Sequence, residues 1–208
     1  MRKGLVVLAV SVVTVTACDL TVKRIAEDGA AGRLASSFEL GVRPEVTFGG
    51  FPFTPALLAG RIASAEIAAA DLGRKGLRLA RLELTLEGLT FSLDDLLAGR
   101  VETVRSGGGR GRAEIADTAI AALLRRRGAA IKDLSFDAGR VRVTGPMGEV
   151  EGRVEVRGRL LVVAAPGLGE VALELPALGG RVIYEGLEVG DGVAVLSLRL
   201  TSGRLAAP

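Results

Sequence analysis

The 208-residue chain has no histidine and no tryptophan, a single cysteine and a single tyrosine, and aromatic residues make up 3% of it. Without histidine, the commonest general base, proton shuttle and metal ligand is missing. One cysteine, Cys18, excludes an intramolecular disulfide. There is no Ser-x-x-Lys pairing, and no spacing singles out two carboxylates for glycoside chemistry, so nucleophilic, metal-assisted and acid–base catalysis all lack their usual parts. The chain reads as a protein that is not an enzyme and uses no cofactor or metal. Charge of one sign is scarce as well. The formal net charge is +3, and only +1 once Arg2 and Lys3 are set aside. That excess is too small to hold nucleic acid through many phosphates. Charged residues form 25% of the chain, which excludes an integral membrane bundle and argues against disorder.

What is abundant is small and aliphatic. Hydrophobic residues make up 49% of the chain and glycine occurs 29 times. Short Leu and β-branched runs punctuated by glycine suggest strands and turns, in a chain long enough for one domain with a substantial core.

The N-terminus reads as a leader. Arg2-Lys3 is a positive n-region, and Leu5 to Ala17 is an apolar run of thirteen residues. This is short of the roughly 20 residues that span a bilayer as a helix, but it suits a signal peptide. It ends in Val15-Thr16-Ala17-Cys18, which resembles a bacterial lipobox. The expected organisation is therefore a lipoprotein signal peptide over 1–17, a lipidated tether over 18–21 and a single domain over 22–205. A diacylglyceryl Cys18 supplies enough acyl chain for stable attachment. The protein is accordingly expected outside the cytoplasm, tethered to a membrane face.

Val22 to Leu40 keeps helical spacing through Ile25, Ala26, Ala30, Leu34 and Phe38. Val42 to Phe48 reads as a strand, leading into Phe48-Gly49-Gly50-Phe51-Pro52-Phe53-Thr54-Pro55-Ala56-Leu57-Leu58-Ala59-Gly60-Arg61, which holds three of the six phenylalanines. Thr54 and Pro55 suit the N-cap and first turn of a short helix that Gly60 ends. Its Leu57 and Leu58 plug a core corner or line an apolar cavity. Arg61 to Leu72 is rich in helix-favouring alanine yet carries a period-2 run. Leu77 to Leu93 is extended, but its apolar phase flips near Ala80-Arg81 and again at Gly88; a flip ends a strand or marks a bulge. Asp94-Asp95 is turn chemistry. The glycine–arginine stretch from Ser106 to Arg112 reads as a mobile strand or hairpin segment without the interleaved aromatics of a nucleic-acid binder.

Glu114 to Arg127 is the clearest helix, with Ile115, Ala119, Ile120, Leu123 and Leu124 on one face. Arg125-Arg126-Arg127 complements the dipole of its last turn or anchors anionic headgroups. Beyond it, Leu134–Phe136 and Val141–Val143 form a hairpin. Val150 to Ala164 reads as one long strand with one wet face. Val182–Val189 and Val193–Leu200 form a closing hairpin around Gly190-Asp191-Gly192.

Gly50-Phe51-Pro52-Phe53, followed by Leu57-Leu58-Ala59-Gly60-Arg61, the Leu-rich strand Gly76–Leu86 and the closing Gly186-Leu187-Glu188-Val189, resembles the bacterial LmeA-like phospholipid-binding family over roughly Val22 to Leu205. The resemblance implies a strand at Arg61–Leu72. It implies an α+β fold related to the tubular lipid-binding architecture: a strongly curved antiparallel sheet wrapped around amphipathic helices, elongated, with an apolar groove. The implied activity is binding of glycerophospholipid acyl chains, in support of lipid handling or envelope glycolipid assembly, with an envelope glycosyltransferase as a possible partner. The groove residues expected are Phe51, Phe53, Leu57, Leu58, Ile120, Leu123 and Leu124, with Arg61, Arg125 and Arg126 toward headgroups. A non-catalytic scaffold lipoprotein without a lipid ligand is the alternative.

Overall fold

The computed structural model describes residues 2–37, 40–74, 77–97, 103–137, 139–146, 148–175 and 182–206. It is an α+β fold of mostly antiparallel strands with a few helices, and neither sheet closes. The first sheet runs β1 (Glu45–Gly49), β2 (Arg61–Arg74), β3 (Leu77–Thr90), β5 (Gly108–Ala116), β12 (Val193–Leu200), β11 (Val182–Val189). β4 (Thr103–Ser106) pairs with β3 and with β13 (Gly203–Ala206). The second sheet runs β10 (Gly169–Glu174), β9 (Leu160–Ala165), β8 (Gly148–Arg157), β7 (Arg140–Gly145), β6 (Asp133–Asp137). Four helices accompany them among the described residues: α1 (Arg2–Ser37), α2 (Phe53–Leu58), α3 (Leu93–Leu97) and α4 (Asp117–Arg126).

Arg61–Arg74 is a strand, as the family resemblance implies, despite its alanines. Cross-strand pairing decides this. Ile62 faces Leu89, Ala65 faces Leu86, Ala69 faces Leu82 and Leu72 faces Leu79. All of these side chains are buried or packed on the core. The inward-facing residues step by three at 62–65 and 86–89, and again at 69–72 and 79–82. These are the two phase flips of the Leu-rich segment. They neither end the strand nor shift its register. At each one, one residue takes a left-handed conformation: Gly88 in β3 (φ 58°) and Asp71 in β2 (φ 51°). The two strands thus turn over together and keep Leu72, Leu79, Leu82, Leu84, Leu86 and Leu89 on the core side.

β5 is not a mobile segment. It lies between β3 and β12 in the middle of the first sheet, and its glycines are there for space. A Cβ on Gly111 would stand 2.4 Å from Leu84 Cδ2, 2.7 Å from the Glu83 carbonyl oxygen and 2.8 Å from Leu198 Cδ1. The leucines of both neighbouring strands close over the glycine and fill the place of its side chain.

The structure corrects two further element boundaries and one helix face, and it continues α1 through the tether. Residues 18–21, expected as a lipidated tether, are helical and continuous with the rest of α1. Ile25 points to solvent, and the packed face of α1 is Val22, Ala26, Ala30, Ala31 and Leu34. Glu114 to Ala116 is the end of β5, and the helix begins at Asp117; Ile115 is fully buried, but from a strand. Val150 to Ala164 is two strands, because Gly158 (φ 62°) turns the chain and pairs Arg157 with Leu160. The shared parity of the valines across that turn hides it from a periodicity reading. Phe38 and Gly76 lie outside the described residues.

Candidate functional site

Two places bring the expected site residues together. The first is the corner where α1 meets α2. Phe48, next to last in β1, has its ring stacked on Phe53 (centroids 5.7 Å apart, interplanar angle 11°), and both are buried. Thr54 does not cap α2: no side-chain cap is formed, and the helix begins at Phe53 behind Pro52. The capping group comes from another helix. The Asp19 carboxylate accepts hydrogen bonds from the Phe53 N–H (2.8 Å) and the Thr54 N–H (2.6 Å), two of the donors that a helix start leaves without partners. Two more ties continue along α1. Glu27 accepts from the Phe48 N–H at 2.8 Å, covering the free edge of β1, and Arg43 donates to the Asp28 carbonyl.

The corner divides its apolar residues sharply. Phe53 is in the core and Leu57 packs against it, whereas Phe51 is 70% exposed, Leu58 61% and Leu20 51%. Gly60 (φ 67°) ends α2 through its N–H to the Leu57 carbonyl. Arg61 follows on the solvent side, with no ion pair among the described residues.

The Thr54 side chain, then the Phe53 and Thr54 N–H groups, hold the Asp19 carboxyl below the usual carboxylate value, against a smaller opposing effect of burial. The Thr54 hydroxyl is itself buried and outside hydrogen-bonding geometry, so the two N–H bonds make the clamp. A carboxyl depressed in the folded state stabilises the fold above its unfolded pKa of about 4 and loses that contribution as pH falls through the folded value. Asp19→Asn is therefore expected to lower the melting temperature by several degrees at pH 7. The difference from the unaltered protein should shrink in titrations below pH 4, and a difference that stays constant down to pH 2 would remove Asp19 from this role.

The second place is α4. Ile120, Ala121 and Leu124 are fully buried, and the helix touches β3 and β5 of the first sheet and β6 and β10 of the second. Its start is stitched to both sheets. Asp117 donates its N–H to the Gly192 carbonyl (3.0 Å), and its carboxylate accepts from Thr118 N–H (2.6 Å) and Phe136 N–H (3.4 Å). Its end is closed by Gly128 N–H to Arg125 O and Ala129 N–H to Leu124 O, both 3.0 Å. Leu123 is half-buried against the same core. Arg125 and Arg126 are exposed, and Arg125 Nη1 donates to the Lys132 carbonyl at 2.8 Å.

The expected residues thus fall into two groups. Phe53, Leu57, Ile120, Leu123 and Leu124 belong to one aliphatic core that runs from α1 to the second sheet, while Phe51, Leu58 and the arginines are on the surface. The sequence reading misses Asp19 because a carboxylate two residues past an apolar run reads as a boundary, and its partners are more than thirty residues away. An open depression of about 500 Å³ on the second sheet, between Arg153, Ala165 and Glu170, includes none of the expected residues. Among the described residues, no group of His, Cys, Asp or Glu is arranged to hold a metal, and no helix is long and apolar enough to cross a membrane.

Comparison with curated proteins gives no match, and neither does comparison with solved structures. The family model described as LmeA-like phospholipid-binding matches residues 12–207, nearly the whole chain, and the protein belongs to that family.

Proposed function

We propose that this protein binds glycerophospholipid in the cell envelope by taking acyl chains into the aliphatic interior around α4. The observation that carries the reading is the position of α4. It is one ten-residue helix in contact with strands of both open sheets, and its Ile120 and Leu124 are fully buried. An apolar interior closed by a single helix opens by moving that helix, and Leu, Val, Ile and Ala suit flexible chains better than flat ligands. Withdrawing a sixteen-carbon chain from a bilayer forfeits about 0.8 kcal/mol per CH₂, on the order of 12 kcal/mol, so only a long continuous apolar lining compensates. A tubular lipid-binding-like sheet, curved around its helices, offers such a lining. Phe53, Leu57, Ile120, Leu123 and Leu124 line it; Phe51 and Leu58 flank its mouth; Arg61, Arg125 and Arg126 face headgroups.

In the same reading, residues 1–17 are removed as a lipoprotein signal peptide. Cys18 carries the lipid, and the domain works on the outer side of the cytoplasmic membrane or in the periplasm, beside an envelope glycosyltransferase that uses lipid-linked substrates. The protein binds and does no chemistry. The test is native mass spectrometry on protein beginning at Asp19, purified from bacteria without detergent. Adducts of phospholipid mass that organic extraction removes are expected. A bare polypeptide mass that stays bare after incubation with mixed phospholipid vesicles would replace the carrier by a scaffold without a ligand. The intact mass of membrane-extracted full chain tests the anchor: it should correspond to cleavage before Cys18 plus diacylglycerol.

A further inference from the structure

Seven large apolar side chains are exposed among the described residues, and three of them, Leu20, Phe51 and Leu58, lie on the two segments that the Asp19 clamp joins. Leu20 adjoins Asp19 in sequence. Phe51 lies two residues before the clamped Phe53, and Leu58 ends a six-residue helix about 9 Å long. Phe51 is left 70% exposed in a chain with only six phenylalanines. The clamp also fixes where this surface sits. α1 is one uninterrupted helix from Arg2 to Ser37, so the apolar run Leu5–Ala17 enters the domain directly at exposed Cys18. Whether a membrane holds the apolar run or a lipid on Cys18, the level at which α1 leaves it is residues 17–20. The clamp pins the tip of α2 at that level, with Arg61 three residues beyond Leu58. A phenylalanine and leucines at headgroup depth, next to an exposed arginine with no ion pair among the described residues, match the two halves of an interface between hydrocarbon and phosphate.

We infer that the α1–α2 corner is a membrane-docking surface, with Phe51, Leu58 and Leu20 entering the bilayer interface and Arg61 facing lipid phosphates. This rests on the membrane-tethered reading above and adds that the tethered domain is oriented, with α2 down. Docking the mouth of the interior on the bilayer removes the water gap that an acyl chain would otherwise cross.

The absence of tryptophan makes the test direct. Full-length chain carrying Phe51→Trp or Leu58→Trp would be reconstituted into phosphatidylcholine–phosphatidylglycerol vesicles, with Leu160→Trp and Ile183→Trp as exposed reference positions on β9 and β11. The Phe51 and Leu58 probes are expected to emit further to the blue than the reference probes, and to be quenched several-fold more by brominated acyl chains. Equal emission and quenching at all four positions, with the protein co-floating with vesicles, would overturn the docking surface and leave the tether standing. A blue shift at Phe51 and Leu58 without bromolipid quenching would assign the corner to a protein partner and also overturn it. Failure to co-float would overturn the tether and the docking surface together, whatever the lipid adducts in the mass spectrum.

Discussion

Gly60→Ala is expected to lower the melting temperature by about 10 °C. Gly60 has φ 67°, where an L side chain costs roughly 1–2 kcal/mol. A Cβ there would stand 2.4 Å from the Phe91 carbonyl oxygen, and the Gly60 carbonyl accepts the Phe91 N–H at 3.0 Å. The colliding atom is backbone, so relief moves a chain segment rather than a rotamer, at a further cost of about 1–3 kcal/mol. A total near 3–4 kcal/mol converts at about 2–4 °C per kcal/mol for a chain of this size. Gly29→Ala is the control: it is in the middle of α1 with nothing within 4 Å of the added carbon, and should leave the midpoint unchanged or raise it slightly. Differential scanning calorimetry of both variants decides the matter, and a Gly60→Ala midpoint within 2 °C of the unaltered protein would show that the corner yields without strain.

Leu124→Ala should cost about 4 kcal/mol, within the roughly 2–5 kcal/mol seen when a fully buried leucine is truncated. Leu124 is fully buried on a helix in contact with both sheets. Surroundings built from two sheets and a helix collapse poorly around a void, which favours the upper half of that range. Leu123, half-buried on the same helix, should lose clearly less on truncation. Urea denaturation of the two variants gives the comparison. Equal losses would mean that α4 packs loosely and that its buried face is not the closure of the interior.

The hairpins were legible in the sequence because turn chemistry is local. Asp137 to Arg140 and Gly190-Asp191-Gly192 announce reversals to whichever strands flank them. The phase flips of the Leu-rich strand were legible for the same reason, since each leucine records which face its own residue presents. Where a turn preserved the parity of its flanking valines, as at Gly158, the record was silent and two strands read as one. Where a strand ran straight into a helix with apolar residues on both sides, as from Ile115 to Ile120, the boundary fell three residues early.

By itself the sequence determined the strand-rich aliphatic class, the absence of histidine and of any disulfide within the chain and, through Gly50-Phe51-Pro52-Phe53 and Leu57-Leu58-Ala59-Gly60-Arg61, the family. Only the tertiary structure decided which of these apolar residues are interior and which are surface. Phe51 and Phe53 are two positions apart and chemically identical, yet one is 70% exposed and the other 2%. The difference comes from what packs on each: Phe48, five residues back, lies against the ring of Phe53, and Asp19 holds its backbone N–H from 34 residues away. Periodicity reports the environment of a segment averaged over its own length. A clamp between two segments is a single contact, and it leaves no period to read.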